Sequence, residues 1–182
     1  MNEGLISSRY ATALLNFATQ NDEEKKVYSE MTFLVQIFKI VKNLQQSLSS
    51  PVVSKSKKKK ILITAVGGNV SNSMDKFFDL LIENKRENKL ESIASRYTEL
   101  YRKRHNIHLG TLTTAVKTDP SVIERLKVMI EEQIGGTVEF TSDVNPDIIG
   151  GFVLQVEDYR WDASISGQLN RIKKELKQIN KI

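Results

Sequence analysis

The chain contains no cysteine among its 182 residues. Disulfide bonds, thiolate metal sites and a cysteine nucleophile are therefore excluded, and the absence suits a reducing compartment. Only two histidines are present, His105 and His108. Two such ligands without a companion cysteine make a poor metal site, and no motif supplies the oriented histidine that a serine nucleophile needs. We therefore expect no catalytic residue, no metal and no cofactor.

Long apolar runs are also missing. No stretch approaches the roughly 20 residues that a membrane-spanning helix needs. The first residues, MNEGLISSRYATALLNFA, lack the basic start and continuous apolar stretch of a signal peptide. None of the three Gly-Gly pairs is followed by the lysine and hydroxyl residue of a phosphate-binding loop. We therefore expect a chain that neither inserts into a bilayer by itself nor binds ATP.

What the chain has is charge of both signs with a positive excess. Charged residues make up 27% and hydrophobic residues 40%, which is typical of a globular domain, and the net charge is +5. Five of the six residues from Lys55 to Lys60 are lysine. A basic balance favours nucleic acid, anionic lipid or an acidic protein as partner. No aromatic residue alternates with these lysines, but a basic nucleic-acid-binding adaptor remains the alternative function.

Up to about residue 105 every strong pattern is helical. Apolar side chains recur every three or four residues, which predicts amphipathic helices. Asp22 is a plausible N-cap for a long second segment, and Pro51 breaks it. The predicted helices cover about 5–18, 22–48, 55–66, 72–83 and 87–104. On the first helix the apolar stripe comprises Leu5, Ile6, Tyr10, Ala13, Leu14 and Phe17, and on the fourth Met74, Phe77, Phe78, Leu81 and Ile82.

After His105 the pattern changes. The stretches IHLGTLTTAVKT, TVEFTSDV, GGFVLQVE and YRWD are rich in β-branched or alternating residues, which predicts strands. Asp119-Pro120 opens a helix whose expected inward residues are Val122, Ile123, Leu126, Met129, Ile130 and Ile134, and a last helix is predicted over 164–180. The expected fold class is α+β. A five- or six-helix bundle over 1–105 precedes a small α/β unit over 106–182, with hairpin strands and a long terminal helix.

The stretch GGFVLQVEDYRWDASISGQLNRIKKEL, residues 150 to 176, contains the residues that most resemble a catalytic cluster. The glycine pair predicts a backbone with positive φ or a close approach. Asp162 and Ser164 stand where a helix begins and are predicted to cap it. The following helix repeats Ile165, Leu169, Ile172, Leu176 and Ile179 at 4-3-4-3 spacing, a narrow seam suited to packing on the hairpin or on a partner helix. Paired carboxylates such as Asp158 and Asp162 would serve acid/base chemistry only in a cleft that shifts their pKa values.

Three segments together resemble the delta subunit of bacterial and chloroplast ATP synthases, the relative of the mitochondrial oligomycin-sensitivity-conferring protein. SSRYATALLNFA is similar to the opening helix of that family, and LSSPVVSKSKKKKIL to its proline break and lysine-bearing helix. NPDIIGGFVLQVEDYRWDASISGQLNRIKKEL is similar to its most diagnostic segment. Trp161 stands where the family more often has an aliphatic residue. The resemblance runs nearly from end to end.

The resemblance implies a non-catalytic stator subunit of a rotary ATP synthase. In the family the N-terminal bundle lies on the catalytic head and binds the amphipathic N-termini of the alpha subunits. The C-terminal half meets the b subunit of the peripheral stalk, which holds the head still while proton or sodium flow drives rotation. This implies a protein located peripherally at the cytoplasmic side of the cell membrane, with no nucleic acid as partner.

Carried onto this sequence, the resemblance implies a groove between the first helix and the fourth. Its expected partner-binding residues are Ile6, Tyr10, Ala13, Leu14 and Phe17 on the first helix, and Phe77, Phe78, Leu81 and Ile82 on the fourth. The same residues would form the bundle core if no groove existed. The final helix, which has a basic outer face, is the expected contact for the b subunit.

Overall fold

The structure is a computed structural model that describes residues 3–179. The chain divides into two compact units, of which the first ends at Arg102 and the second begins at Lys103. We predicted a division three residues later. The first unit is helical, and the second combines four strands with two helices within the described residues. The predicted α+β class is confirmed, and no helix within residues 3–179 is both long and apolar enough to cross a membrane.

The first unit contains six α-helices within the described residues. They are α1 (Glu3–Gln20), α2 (Glu24–Ile40), α3 (Leu44–Ser49), α4 (Lys55–Ala65), α5 (Asn72–Glu83) and α6 (Leu90–Arg104). A 3₁₀ turn over Glu87–Lys89 precedes α6. Ser71 caps α5, because its Oγ accepts a hydrogen bond of 3.2 Å from the backbone N–H of Met74.

The long helix predicted over 22–48 is wrong, because two helices occupy that segment. α2 ends at Ile40, where Val41 leaves the helical region with φ −102° and ψ 79°. No proline or glycine lies at this break, so the local pattern gave no sign of it. Asp22 is not the N-cap either. It adopts φ +56°, a conformation that aspartate tolerates better than most residues, and Glu23 occupies the capping position.

The core of the first unit lies on the inner faces of α2, α5 and α6, with part of α1. Its fully buried side chains include Met31, Leu34, Phe78, Leu81, Ile93 and Tyr97. On α1 the buried apolar residues are Ala11, Leu14, Leu15 and Ala18. The predicted α1 stripe only partly coincides with them, since Leu5 is 61% exposed and Ile6, Tyr10 and Phe17 are half-buried. Much of that stripe therefore lies along the edge of the core.

The second unit is a four-stranded sheet with two helices. It comprises β1 (Ile107–Thr114), α7 (Pro120–Ile134), β2 (Thr137–Val144), β3 (Phe152–Val156), β4 (Tyr159–Asp162) and α8 (Ile165–Ile179). The strand order is β2-β1-β3-β4. β1 and β2 are parallel and joined through α7, whereas β3 pairs antiparallel with both β1 and β4. All four predicted strands and the predicted hairpin are confirmed.

The core of this unit is small and lies between α7 and the sheet. Leu112, Val138, Leu154 and Val156 pack there against Ile130. Two of the residues predicted to lie inward on α7 do not, because Val122 is 43% and Met129 54% exposed. The spacing placed six apolar residues on the inward face of α7, but the narrow sheet covers only four of them, Ile123, Leu126, Ile130 and Ile134. Asp119 caps α7 as predicted, its Oδ1 accepting from the Ser121 N–H at 2.8 Å.

Candidate partner-binding groove on the helical unit

A groove runs along the surface between α1 and α5. It consists of two adjoining cavities of about 310 Å³ each, which share Tyr10, Ala13 and Leu80. One cavity has an almost wholly apolar lining, whereas the other contains two arginines. We call it the α1–α5 groove, and its lining residues are Ile6, Arg9, Tyr10, Ala13, Leu14, Phe17, Ser73, Lys76, Phe77, Leu80 and Arg86.

The shape of the groove follows from the side chains of the two helices. Ala13 is small and exposed, so it leaves a depression on α1 between Tyr10 and Phe17. Across it, the ring of Tyr10 meets the ring of Phe77 edge to face, with centroids 6.4 Å apart, a favoured aromatic geometry. Leu80 on α5 is 45% exposed. An open apolar depression of this kind accepts the apolar face of an amphipathic helix.

The structure brings six of the nine predicted groove residues together. Ile6, Tyr10, Ala13, Leu14, Phe17 and Phe77 line the groove. Phe78 and Leu81 are fully buried, so they present no surface to a partner in this conformation. Ile82 is also buried and lies beside a different cavity, near Lys58 and Glu87.

Sequence reasoning missed Leu80 and the charged residues of the groove. The apolar residues Phe77, Phe78, Leu81 and Ile82 define the inward face of α5, whereas the groove face follows Ser73, Lys76, Phe77 and Leu80. The spacing of 73, 76 and 80 is itself helical and was a usable signal. The signal was weak because this face of α5 contains only two apolar residues, Phe77 and Leu80.

Two cations lie over aromatic rings of the groove. The Nζ of Lys76 is 5.6 Å from the centre of the Phe17 ring, and the Cζ of Arg86 is 5.3 Å from that of Tyr10. Arg86 also donates a hydrogen bond of 3.2 Å from Nη1 to the Tyr10 hydroxyl. The two cation-to-ring distances are within the range of cation–π attraction. The cations are therefore held at the groove and do not point freely into water.

Two glutamates hold the start of α5 in position. One is Glu30 of α2, and the other is Glu23, the residue before α2. The carboxylate of Glu30, itself buried, accepts hydrogen bonds from the N–H (2.6 Å) and Oγ (2.7 Å) of Ser71. Glu23 accepts from the N–H groups of Asn72 (3.1 Å) and Ser73 (2.8 Å). The proximity of Ser73, above all, holds the pKa of Glu23 below its ordinary value. These carboxylates accept hydrogen bonds from N–H groups at the start of α5 that have no partner within the helix. Their negative charge also interacts favourably with the positive end of the helix dipole.

The lysine run of α4 also serves the packing of this unit. Lys58 pairs with Glu87, and both side chains are buried. The Nζ of Lys59 lies 2.9 Å from Asp75 Oδ1 and 2.7 Å from Asp79 Oδ2, and these carboxylates, Asp79 first, raise the pKa of Lys59. Two of the five lysines therefore tie α4 to neighbouring segments.

In the second unit, the segment 150–176 has most of the structural roles that we predicted, but Asp162 bonds to Ser164 and not to an N–H of α8, which Ser164 caps. Gly151 adopts φ +73°, and a Cβ there would lie 2.2 Å from the carbonyl oxygen of Ala163. The Oδ1 of Asp162 accepts from the N–H of Ser164 at 3.1 Å, and Ser164 Oγ accepts from the Gly167 N–H at 3.0 Å. Ser164, through its hydroxyl and N–H, lowers the pKa of Asp162. An ionised carboxylate engaged in this way is poorly suited to acid/base catalysis.

The apolar seam of α8 is exposed. Its members are Ile165, Leu169, Ile172 and Leu176, each 44–55% exposed. The side chain of Ile179, the fifth predicted member, lies outside the described residues. On the neighbouring strand β4 the rings of Tyr159 and Trp161 stack with centroids 5.9 Å apart, and both are also exposed. The seam thus packs only weakly within its own unit.

The histidines were weighed as metal ligands, and one of them has a structural partner. His108 Nδ1 is 2.7 Å from Glu157 Oε1, and this pair joins the start of β1 to the turn after β3. Within residues 3–179, no group of three or more metal-ligating side chains comes together. His108 therefore has a structural partner in Glu157.

Comparison with known proteins agrees with this architecture. The family model described as "ATP synthase delta (OSCP) subunit" matches residues 6–176. The chain is 37% identical over 173 residues to the ATP synthase subunit delta of Phocaeicola vulgatus, covering 94% of each chain. It is 39% identical to that of Parabacteroides distasonis, covering 95% of this chain and 96% of the relative.

The fold has a counterpart among solved structures. A chain of the Toxoplasma gondii mitochondrial ATP synthase hexamer matches with a TM-score of 0.62 and 24% identity, covering 93% of this chain and 96% of that one. This likeness concerns the fold alone. Taken with the family match over nearly the whole chain, the comparisons place the sequence: it belongs to the ATP synthase delta (OSCP) subunit family.

Proposed function

We propose that the α1–α5 groove binds an amphipathic N-terminal helix of an alpha subunit in the catalytic head, and that α8 binds the b subunit of the peripheral stalk. As a delta (OSCP) subunit, the chain is a component of the ATP synthase stator. Such a component must resist the drag of rotation, which requires durable contacts at two places and no reactive site. The two units offer one apolar surface each.

The observation that carries the proposal is the open apolar groove itself. Leu80 is 45% exposed, and Ala13 is exposed beside half-buried Tyr10 and Phe17. Contiguous exposed apolar surface with a polar rim is typical of an interaction site. A helix placed in the groove would cover these side chains. Each square ångström of apolar surface removed from water stabilises the complex by about 25 cal/mol.

The α8 seam supports the second contact. Apolar residues at 4-3-4 spacing form the narrow stripe by which one helix packs alongside another. Since Leu169, Ile172 and Leu176 are about half-exposed, a partner helix would find them accessible. Substituting Leu169 and Leu176 together by serine should weaken binding to the C-terminal segment of the b subunit while leaving the helix content unchanged.

We further propose that the chain is non-catalytic and peripheral to the membrane, at its cytoplasmic side. Ser164, one of the strongest catalytic candidates in the sequence, caps α8 through its Oγ, and the carboxylate of Asp162, the other, is hydrogen-bonded to Ser164. Attachment to the membrane would come through the b subunit. The nucleic-acid alternative is not supported, because the chain belongs to the delta family and because Lys58 and Lys59 form ion pairs within the protein.

Titration calorimetry with a peptide copying the N-terminus of the organism's own alpha subunit tests the groove. Leu80→Asp should abolish measurable binding because it places a charge in the apolar groove. Val52→Asp is the matched control, since Val52 is 91% exposed and lies outside the groove. Equal loss of binding in both variants, or in neither, would contradict the proposed site.

A further inference from the structure

We infer that the α1–α5 groove selects a helix that carries acidic side chains at both ends of its apolar face, about two helical turns apart. The residues that select them are Arg9 and Arg86 at one end and Lys76 at the other. The inference rests on the proposed function, in which the groove holds a helix, and it adds the charge pattern of that helix.

The cations lie at opposite ends of the groove. Arg9 and Arg86 line the cavity that begins at Ile6, and Lys76 lines the cavity that reaches Phe17. Arg86 lies over Tyr10 and Lys76 over Phe17. These two aromatic residues are seven positions apart on α1, which corresponds to about 10 Å along a helix axis. An occupant running along the groove would meet both cations with residues seven positions apart.

The two aspartates of α5 do not neutralise this rim. Asp75 and Asp79 are engaged by Lys59 of α4, on the side of α5 that faces away from the groove. No acidic residue occurs among the described residues that line either cavity. The groove therefore combines an apolar floor with positive charge only, and this combination favours an acidic amphipathic helix over a neutral or basic one.

The cation–π contacts strengthen the selection. Because the Tyr10 and Phe17 rings hold Arg86 and Lys76 near the groove, less side-chain freedom is lost when an acidic partner binds. A bound helix would also exclude water from the rim and so increase the attraction between opposite charges. Because these ion pairs would be partly exposed, we expect each of them to increase the affinity for the helix by about two- to fivefold.

Three synthetic amphipathic helical peptides test the inference. They share one apolar face and carry glutamate, glutamine or lysine at two flanking positions seven residues apart. With the full chain, the glutamate peptide should bind roughly tenfold more tightly than the glutamine peptide at low salt, and the lysine peptide more weakly still. The preference should shrink as salt is raised.

Variants of the chain separate local selection from general attraction. Arg9→Gln with Lys76→Gln should remove most of the preference for glutamate, whereas Lys57→Gln with Lys60→Gln, an equal change of charge on exposed residues of α4, should keep it. Circular dichroism verifies that both variants are folded. Retention of the preference in the first variant, or its loss in both, would overturn the inference.

The outcomes also distinguish this inference from the proposed function. If the glutamate and glutamine peptides bind equally well and Leu80→Asp abolishes both, the groove holds a helix but does not select its charge, and only the inference fails. If none of the three peptides binds and the alpha-subunit peptide does not bind either, both fail. If the lysine peptide binds most tightly, the assigned rim residues are wrong.

Discussion

The two units of the chain expose apolar surface in opposite shapes. The helical unit has a concave groove, in which exposed Ala13 and Leu80 lie between half-buried aromatic residues. The α+β unit has a convex seam on α8, whose members are about half-exposed. A concave surface encloses a helix, whereas a convex seam lies alongside one. The two contacts of the proposed function would therefore differ in geometry.

The units also differ in how they are held together. The helical unit has a large buried core that includes Phe78 and Tyr97. The α+β unit has a small core cluster of five buried residues among those described, and it depends more on backbone details such as Gly151 and the cap at Ser164. Substitutions should therefore act by loss of packing in the first unit and by loss of backbone geometry in the second.

The largest effect is expected from Phe78→Ala. Phe78 is fully buried, so the cavity should destabilise the helical unit by about 3–5 kcal/mol. Leu80→Ala, two positions along the same helix and 45% exposed, should cost under about 1 kcal/mol but weaken binding of the alpha-subunit peptide. Urea unfolding and calorimetry measure the two effects. Similar stability losses for both variants would show that groove and core are not distinct surfaces.

Gly151→Ala should destabilise the α+β unit by about 2–4 kcal/mol, because alanine is strained at φ +73° and its Cβ would collide with the Ala163 carbonyl. Gly135→Ala is a matched control with φ +74° and, among the described residues, nothing within 4 Å of the added Cβ. It should cost only the strain, about 1–2 kcal/mol. Equal losses in thermal unfolding would mean that the close approach has no energetic role.

Replacing both Asp162 and Ser164 by alanine should destabilise the α+β unit by roughly 1–3 kcal/mol through lost capping of α8. Binding of the alpha-subunit peptide to the helical unit should not change. Hydrogen exchange of the α8 amides, compared with those of α6, measures the local effect. A variant that keeps full protection in α8 would contradict the capping role.

The smallest effect concerns pH. The folded-state pKa of Glu23 is lowered from 4.5, so its contribution to stability is present above that pH and is lost as pH falls through the folded value. Glu23→Gln should therefore be less stable than the unsubstituted chain at pH 7, and the difference should narrow below about pH 4. Urea midpoints at both pH values measure it. A gap that widens on acidification would contradict the assigned contacts with Asn72 and Ser73.

Much of this architecture was predictable from the sequence. Alternation located all four strands, since the β2 segment TVEFTSDV coincides with Thr137–Val144, and turn and cap residues located α7 and α8. The division of 22–48 into α2 and α3 was not predictable, because neither proline nor glycine marks Val41. Periodicity also does not say which of two neighbouring faces other helices cover. For that reason Phe78 and Leu81 were assigned to the groove and Leu80 was missed.

The charges of the site were less predictable than its apolar residues. The lysine run was visible, but its pairing with Glu87, Asp75 and Asp79 joins segments 16 to 29 residues apart. Likewise, nothing in the spacing of Arg9, Lys76 and Arg86 indicates that they line one groove. Such arrangements depend on how α1, α4 and α5 pack, and helical periodicity carries no information about that.

The proposed function requires that the helical unit alone binds the catalytic head. Its most direct test is to express residues 1–105 and 106–182 separately, verify their folding by circular dichroism, and titrate each with the alpha-subunit N-terminal peptide. We expect the fragment 1–105 to be helical and to bind the peptide with the affinity of the full chain, because the groove lies wholly between α1 and α5. Binding by 106–182 and not by a well-folded 1–105 would contradict it.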